Sequence, residues 1–328
     1  MSTGKSVPAT ARKKILTRFL RFREANMLII LLVVILVITI GNQKFIEIDN
    51  IVNVLRSCSF IFLIGIAMTF VLVTAELDLS VGSMLTMGGV LTCMAMSAGI
   101  GIALSIIIGL AYGFLMGAIN GILVVKARIP SLIVTLGTMY VGRGLVLIIT
   151  EGTPIYPLPE SFNAIAQGEA LIIPNLVIIA LVLAIIAHIV LKNTKYGRAV
   201  YATGGNKETA RLAGINVDLT RIIVFVLTGV TSALAGILMA SRLGSAQPAA
   251  GTGYEMLVIA SVIIGGTSLF GGAGTILGTA IGALLMSIIQ NGMVLLKISA
   301  YWHNLVLGII IIIAVGFDQH RRRKSGIV

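Results

Sequence analysis

The sequence predicts an all-α polytopic membrane protein, and its composition, its apolar runs and its glycine content each support that fold class. Of 328 residues, 57% are hydrophobic and only 11% are charged, whereas soluble domains carry about 25% charged residues. A surface this poor in charge is suited to lipid. The apolar runs, such as 27–40 and 176–191, are continuous and lack the alternation of barrel strands. The 37 glycines fit closely packed membrane helices.

About ten membrane spans are predicted between residues 27 and 317 by a window of about 20 residues, the length of helix that crosses a bilayer. We interpret 27–317 as a single transmembrane domain, preceded by a basic segment at 1–26 and followed by a basic tail at 318–328. The third and eighth spans are short, which indicates broken or half-length helices. The spans lie near 27–41, 57–75, 84–98, 101–125, 130–150, 171–191, 221–241, 255–266, 274–293 and 303–317.

Lysine and arginine residues lie mostly on one side of these spans. With ten spans both termini share a side, and 19 of the 24 Lys and Arg residues fall on it. Because cytoplasmic loops are enriched in Lys and Arg, we expect both termini and the 192–220 loop in the cytoplasm, and the 151–170 loop outside. The basic residues flank spans and form no patch with aromatic residues, so the net charge of +12 does not indicate nucleic-acid binding.

Two sets of glycines recur every four residues within predicted spans. Small residues at this spacing line one helix face and let two membrane helices approach closely, so we predict a packing role for both sets. One set falls in each half of the chain, which suggests an internal repeat. The sets are Gly109, Gly113, Gly117 and Gly121 in the fourth span, and Gly274, Gly278 and Gly282 in the ninth.

A polar segment, 76–83, separates the second and third spans. Ionisable groups beside apolar spans are costly and are usually functional. Two placements of its carboxylates, Glu76 and Asp78, are open. Asp78 or Ser80 could cap the next helix at the cytoplasmic surface by accepting its free N–H groups, or the carboxylates could line a central cavity.

A second polar segment, 265–275, is too rich in glycine for a helix. Irregular backbone at membrane depth occurs only where protein or water covers it, so we predict a re-entrant turn between broken helices, containing Thr267 and Ser268. Other polar residues lie within or beside spans, where an interhelical hydrogen bond and a contact to a transported molecule both remain open. They are Asn120, Thr135, Thr138, Arg143 and Asn291.

Signatures of catalysis and of metal binding are absent from the sequence. The three histidines are isolated, and no HExxH, CxxC or GxSxG pattern occurs. Cys58 and Cys93 lie in apolar runs and are expected to pack as free thiols. Gly4-Lys5-Ser6 lacks the upstream glycine and the strand of a phosphate-binding loop. We therefore expect no metal, no cofactor and no nucleotide hydrolysis by this chain, and any transport would draw its energy from a partner.

The 192–220 loop is polar and is predicted to be partly helical. Gly204 and Gly205 predict a turn. Residues 207–213 then predict a short helix, which Gly214 ends. Taken alone, this segment would be an ordinary amphipathic loop helix.

Five groups of motifs are distributed along the chain, and one of them lies in that loop. They are Leu77–Ser83; Gly117–Val124; Ile129–Thr138 with Arg143-Gly144; Tyr201–Asn206 with Ala210–Asn216; and Gly265–Thr275. Together they resemble the membrane permease subunits of ribose-type sugar ABC importers, in the branched-chain amino acid/sugar permease superfamily, from about residue 27 to residue 317. The chain departs from the family pattern at Glu76, where the family usually has Gly, and at Thr209, where it has Ala.

The resemblance implies an import system with several partners. In the family a short cytoplasmic helix docks into a groove on a separate ABC ATPase subunit, and closure of the ATPase pair moves that helix. A periplasmic substrate-binding protein, a second permease copy or paralogue and the bacterial inner membrane are also implied. The coupling residues predicted in this way are Tyr201, Gly204, Gly205, Glu208, Thr209, Ala210, Arg211 and Gly214.

The polar residues of the spans then form the predicted translocation pathway. Uncharged polar groups suit a neutral polyol, so a monosaccharide is the expected solute. A nucleoside, a branched-chain amino acid or a furanosyl signal is the alternative within the same fold. A stand-alone ion-coupled carrier, with Glu76 and Asp78 as coupling sites, is a third hypothesis. The predicted pathway residues are Asp78, Ser80, Asn120, Thr135, Thr138, Arg143, Thr267, Ser268 and Asn291.

Overall fold

The predicted all-helical fold is confirmed by a computed structural model, which describes residues 23–170, 173–299 and 301–324. The N-terminal segment 1–22 and the tail residues 325–328 lie outside the described residues. Within the described part, thirteen α-helices account for most of the chain. They are α1 (Arg23–Gly41), α2 (Ile48–Val73), α3 (Val81–Ser97), α4 (Ile102–Val125), α5 (Ser131–Thr150), α6 (Glu160–Gln167), α7 (Asn175–Asn193), α8 (Lys195–Gly205), α9 (Lys207–Leu212), α10 (Val217–Leu243), α11 (Tyr254–Ile264), α12 (Ile276–Leu295) and α13 (Tyr301–Lys324).

Six of these helices are long and apolar enough to cross a membrane, namely α2, α4, α5, α7, α10 and α12. Four shorter apolar stretches, at Met27–Gly41, Val81–Ser97, Tyr254–Ile264 and Tyr301–Gly316, coincide with the other four predicted spans. The third and eighth spans are short, as expected, since α3 has 17 residues and α11 has 11. The chain is thus a multi-pass membrane protein.

Local sequence sets several helix boundaries. Proline stands directly before α5, α6 and α7, at Pro130, Pro159 and Pro174, where its missing N–H costs nothing.

The start of α2 was predicted too late, at 57, because the polar first turns of this helix from Ile48 hid the helical pattern. The predicted turn at Gly204 and Gly205 is wrong, since both residues belong to the last turn of α8.

The remaining elements are short. A 3₁₀ helix, Gln43–Ile46, connects α1 to α2. Two antiparallel two-residue strands, β1 (Glu169–Ala170) and β2 (Ile173–Pro174), lie before α7. Between them and α5, the amphipathic helix α6 buries Phe162 and Ala166. Ser241 of α10 fixes this helix, because its hydroxyl donates to Phe162 O at 2.7 Å and accepts from Ala166 N at 3.0 Å.

The core is built around α2 and α10. Residues 59–73 of α2 are buried throughout, and α2 packs against α7, α10, α11 and α12. Helix α10 also packs against α3 and α4. Most apolar residues on the outward faces of α4, α5 and α7 are exposed, as expected for surfaces in contact with lipid.

Six of the seven glycines lie at close helix contacts, whereas Gly274, which was predicted within the ninth span, lies before α12 in the segment 265–275. On α4, Gly113, Gly117 and Gly121 abut the backbone of α10, and a Cβ on any of them would overlap it. On α12, Gly278 and Gly282 abut the carbonyl oxygens of residues 265 and 261. Such approach is available only to glycine.

Three irregular segments interrupt the spans: 74–80, 244–253 and 265–275. The first and third are the polar segments identified in the sequence, and the third connects α11 to α12 without helix. The second was not predicted. It brings Gly251 against Gly82, at the start of α3, where the Gly251 N–H donates to the Thr86 hydroxyl at 3.0 Å.

Candidate coupling and translocation site

The segment 74–80 carries a buried polar cluster formed by Asp78, Ser80 and Asn120. Asp78 Oδ1 accepts hydrogen bonds from the backbone N–H of Ser80 at 2.9 Å and from the Ser80 hydroxyl. Asn120 of α4 donates from Nδ2 to Ser80 Oγ at 2.9 Å. All three residues are fully buried. The fold therefore brings together three predicted pathway residues from two elements.

Neither placement proposed for Asp78 from sequence matches its contacts in full. Within the described residues, no side chain caps the first turn of α3, and Ser80 is its N-cap without a side-chain hydrogen bond. The surface-capping placement is therefore wrong. Asp78 Oδ2 and Asn120 Oδ1 are buried and have no partner among the described groups. Buried polar atoms normally find a partner, and both of these oxygens are acceptors without one among the described groups.

The first turns of α5 hold the same segment from the other side. Leu77 N donates to Ser131 Oγ at 3.2 Å. Thr135 is buried and donates to Ser131 O at 2.8 Å, with Leu77 O at 3.4 Å. Thr138 donates to Thr135 O at 3.3 Å. Thr135 thus adjoins the segment that carries Asp78, while Thr138 lies one turn further along α5.

Arg143 forms an ion pair with Glu255, a residue that was not among those predicted from the sequence. Its Nη2 lies 2.7 Å from Oε1 of Glu255, in the first turn of α11. Glu255 is buried, and its Oε2 has no hydrogen-bond partner among the described groups. A Cβ on Gly82 would come within 2.6 Å of that oxygen. The pair therefore joins α5 and α11 beside the start of α3.

The predicted short helix in the 192–220 loop is confirmed as α9. Asn206 caps it by accepting from Thr209 N at 2.9 Å, and Gly214 follows it with φ 80°, as a helix-ending glycine requires. Ala210 is buried against the rest of the protein, whereas Glu208 and Leu212 are exposed. Helix α9 therefore presents one free face.

Among the exposed residues of α9, Leu212 is the apolar one. Its exposed fraction is 90%, and it was not selected from the sequence. Arg211 on the same face pairs with Glu208 at 3.1 Å and with Asp218 at 2.9 Å. The hydrogen bond that Arg211 donates to Asp218 is the main cause that raises the pKa of Arg211. The face thus combines fixed charges with one apolar side chain.

Helix α8 contacts the end of α2 and the irregular segment 265–275. The Tyr201 hydroxyl donates to Gly274 O at 2.7 Å, and burial raises the pKa of Tyr201, which keeps that hydroxyl a donor. Gly204 abuts Val73 O so closely that no Cβ would fit. Gly272 N donates to the same oxygen at 2.9 Å. The loop is therefore joined to the end of α2 and to the segment 265–275.

Comparison with known proteins identifies the family. The family described as branched-chain amino acid transport system / permease component matches residues 50–315. This chain belongs to that family. The resemblance inferred from the motifs is thereby confirmed, and the chain is a transport component rather than an enzyme. No solved structure matches it.

Curated relatives match this permease over nearly its whole length. It is 40% identical to the ribose import permease protein of Haemophilus influenzae, over 92% of this chain and 95% of the relative. It is 41% identical to the ribose import permease protein of Bacillus subtilis, over 90% of this chain and 91% of the relative. It is 36% identical to an autoinducer 2 import system permease protein of Yersinia pseudotuberculosis, over 92% of this chain and 86% of the relative.

Three other predicted pathway residues of the permease lie in the segment 265–275 and in α12. Thr267 and Ser268 are buried in the segment 265–275. Thr267 Oγ1 lacks a partner among the described groups, and Ser268 donates to Asp318 Oδ2 of α13 at 2.9 Å. Asn291 of α12 exchanges amide hydrogen bonds with Asn50 of α2, at 2.8 and 3.1 Å. For Asn291 the interhelical bond is thus observed, and its contact with solute stays a prediction.

Glu76 has an environment that neither sequence placement anticipated. It is buried, and its Oε1 accepts hydrogen bonds from Lys207 Nζ and Arg221 Nε. These cations are more than a hundred residues away in sequence. An acidic residue directly after an apolar span was the signal in the sequence that could have drawn attention to such a link.

Proposed function

We propose that this permease is the transmembrane subunit of an ATP-driven importer for a monosaccharide of the ribose type. Its partners in this proposal are an ABC ATPase subunit, a periplasmic substrate-binding protein and a second permease copy. The membrane is the bacterial inner membrane, crossed about ten times, with both termini and the 192–220 loop in the cytoplasm. ATP is hydrolysed by the partner, and this chain holds no cofactor.

The observation that carries this proposal is the contact of the 192–220 loop with the end of α2 and with the irregular segment 265–275. Helix α8 touches Val73 at the end of α2 and Gly274 before α12. The neighbouring helix α9 has an exposed face that includes Glu208 and Leu212. A partner that moves α9 would therefore act, through one short loop, on backbone that is not fixed by helical hydrogen bonds.

The substrate class is supported by the chemistry of the buried cluster. The hydroxyl of Ser80 and the amide of Asn120 lie beside unpartnered oxygens, and such groups recognise hydroxyls. The ribose permeases among the relatives, at 40% and 41% identity, favour a pentose. The autoinducer 2 permease favours a furanosyl signal as the second candidate. Tight binding of that signal, and not of ribose, by the cognate binding protein would support the second candidate.

Reconstitution tests the energy source. Proteoliposomes containing the permease and its ATPase subunit, supplied with the binding protein, should accumulate radiolabelled ribose only when ATP is present on the ATPase side. Collapse of the ion gradients should leave uptake unchanged. Uptake that persists without the ATPase subunit, or that depends on an ion gradient and not on ATP, would refute the proposal in favour of an ion-coupled carrier.

A substitution on the exposed face of α9 tests the docking site. Glu208→Arg replaces a side chain that is 79% exposed, so the fold should tolerate it. We expect the variant to reach the membrane at the normal level but to lose copurification of the ATPase subunit. Glu160→Arg, at the exposed start of α6, is the matched control and should copurify normally. Equal copurification by both variants would remove α9 as the docking element.

A further inference from the structure

A single buried carboxylate connects the cytoplasmic loop to the segment 74–80. Glu76 has an exposed fraction of 4%. Its Oε1 lies 2.8 Å from Lys207 Nζ and 2.7 Å from Arg221 Nε. Lys207 is the first residue of α9, and Arg221 lies in the second turn of α10. One cation therefore comes from the start of α9 and the other from α10, the next helix along the chain.

The backbone up to Glu76 is hydrogen-bonded to the end of α2, and the backbone after Glu76 is irregular. Ala75 has φ 58°, and the N–H groups of Ala75 and Glu76 donate back to Leu72 and Val71 of α2. Residues 76–79 belong to no helix. Glu76 is thus the point at which side-chain bonds from the loop reach backbone that lies outside the helices.

This link differs from the other ion pairs of the loop. Arg211, Glu208 and Asp218 are all exposed, where salt and side-chain entropy make such pairs weak. Glu76 is shielded from solvent, and losing one partner would leave a charge uncompensated in a poorly solvated place. The Glu76 bonds are therefore expected to persist while the loop moves.

The buried polar cluster begins two residues beyond Glu76. Asp78 accepts from Ser80, and Ser80 accepts from Asn120 of α4. A displacement of Glu76 must move Leu77 and Asp78 as well, because they are consecutive in the chain. The contacts are therefore continuous from Lys207 through Glu76 and Asp78 to Asn120.

We propose that Glu76 is a positioning residue that transmits movement of α9 to the Asp78, Ser80 and Asn120 cluster. This inference rests on the proposed function, since it requires an ATPase acting on α9. Without the Glu76 bonds, α9 would move while the segment 74–80 stayed in place, so ATP would be hydrolysed with little transport.

The test compares transport with hydrolysis in the assembled importer. Glu76→Gln keeps the side-chain size but removes the charge. We expect the amount of ribose imported per ATP hydrolysed to fall about tenfold, a size typical of coupling between sites, with ATPase copurification unchanged. Lys207→Gln removes one of the two bonds from a half-exposed residue, so it should fold normally and lower the ratio by a smaller factor. Glu169→Gln breaks a 2.6 Å pair with Arg56 that is more exposed and lies outside this loop, and it should leave the ratio unchanged.

Backbone hydrogen exchange provides a readout that a purely structural role would not change. In the wild-type complex, ATP should alter exchange in both α9 and residues 74–80. In the Glu76→Gln complex, only α9 should respond. An unchanged import-to-hydrolysis ratio in Glu76→Gln or, should that variant fail to fold, in Lys207→Gln would overturn the inference. So would a loss of import in step with the amount of folded protein. Absence of ATP-driven uptake by the wild type would instead refute the proposed function.

Discussion

Gly113 of α4 and Gly229 of α10 each lie directly against the other's carbonyl oxygen, so that neither position has room for a Cβ. The same helix pair is in contact at Gly117 and Gly121. Because lipid is as apolar as the helix surface, association in a membrane depends on such close packing. The contact between α4 and α10 therefore fixes the helix that carries Asn120 against the helix that begins in the 192–220 loop.

Adding one methyl group at this contact should destabilise the protein. Gly113→Ala and Gly229→Ala would each force the helices apart, at a cost of about 1 to 3 kcal/mol. Thermal unfolding of the detergent-purified permease should shift to lower temperature for both variants. Gly137→Ala on α5 is the matched control, since nothing lies within 4 Å of its Cβ position. An equal melting temperature for Gly113→Ala and Gly137→Ala would contradict the packing role.

The positions of the spans were predictable because apolar length is a local property of the chain. All ten predicted segments overlap helices, and the irregular backbone at 265–275 follows from its glycines. The segment 244–253 was missed although Pro248, Gly251 and Gly253 were visible in the sequence. Its placement depends on Gly251 meeting Gly82, more than 160 residues away, and no local pattern records that contact.

The sequence indicated which polar residues form the site, but it did not indicate which of them contact one another. Asp78, Ser80 and Asn120 were selected as polar residues beside apolar runs, and the fold brings them together. Glu255 was passed over because one acidic residue at the start of a span has the same appearance as an ordinary helix-terminal charge. Its significance comes from Arg143, which lies 112 residues away in sequence.

The Arg143 and Glu255 pair gives a double-mutant prediction. Arg143→Gln leaves the buried Glu255 carboxylate without its cation. The loss of stability should be about 2 kcal/mol, below the 3 to 5 kcal/mol of a fully buried pair, because Arg143 is 31% exposed. The variant with both Arg143→Gln and Glu255→Gln should regain part of that loss. Thermal unfolding of the four proteins measures the cycle, and strictly additive losses would show that the two side chains do not interact.

The orientation of the permease can be measured with single cysteines. In a background with Cys58→Ala and Cys93→Ala, Glu151→Cys and Glu208→Cys each place a thiol at an exposed loop position. A membrane-impermeant maleimide applied to spheroplasts without the ATPase subunit should label Glu151→Cys at once and Glu208→Cys only after permeabilisation. The excess of Lys and Arg on the side of the 192–220 loop is the physical reason. The reverse order of labelling would mean that the charge distribution does not set this topology.

The amide pair between Asn50 and Asn291 separates a packing role from a pathway role. Asn291→Leu removes the exchange of hydrogen bonds at 2.8 and 3.1 Å and leaves the Asn50 carbonyl without its donor, which should cost about 1 to 2 kcal/mol. Replacing both residues by Leu removes the unpaired group as well, so stability should recover in part. Asn50 also donates to Phe45 O at 2.9 Å, which limits that recovery. If Asn291 acts through packing, uptake of ribose by the reconstituted importer should rise and fall with the melting temperature across the single and double variants. Uptake that stays low in a double variant of restored stability would identify Asn291 as a solute contact instead.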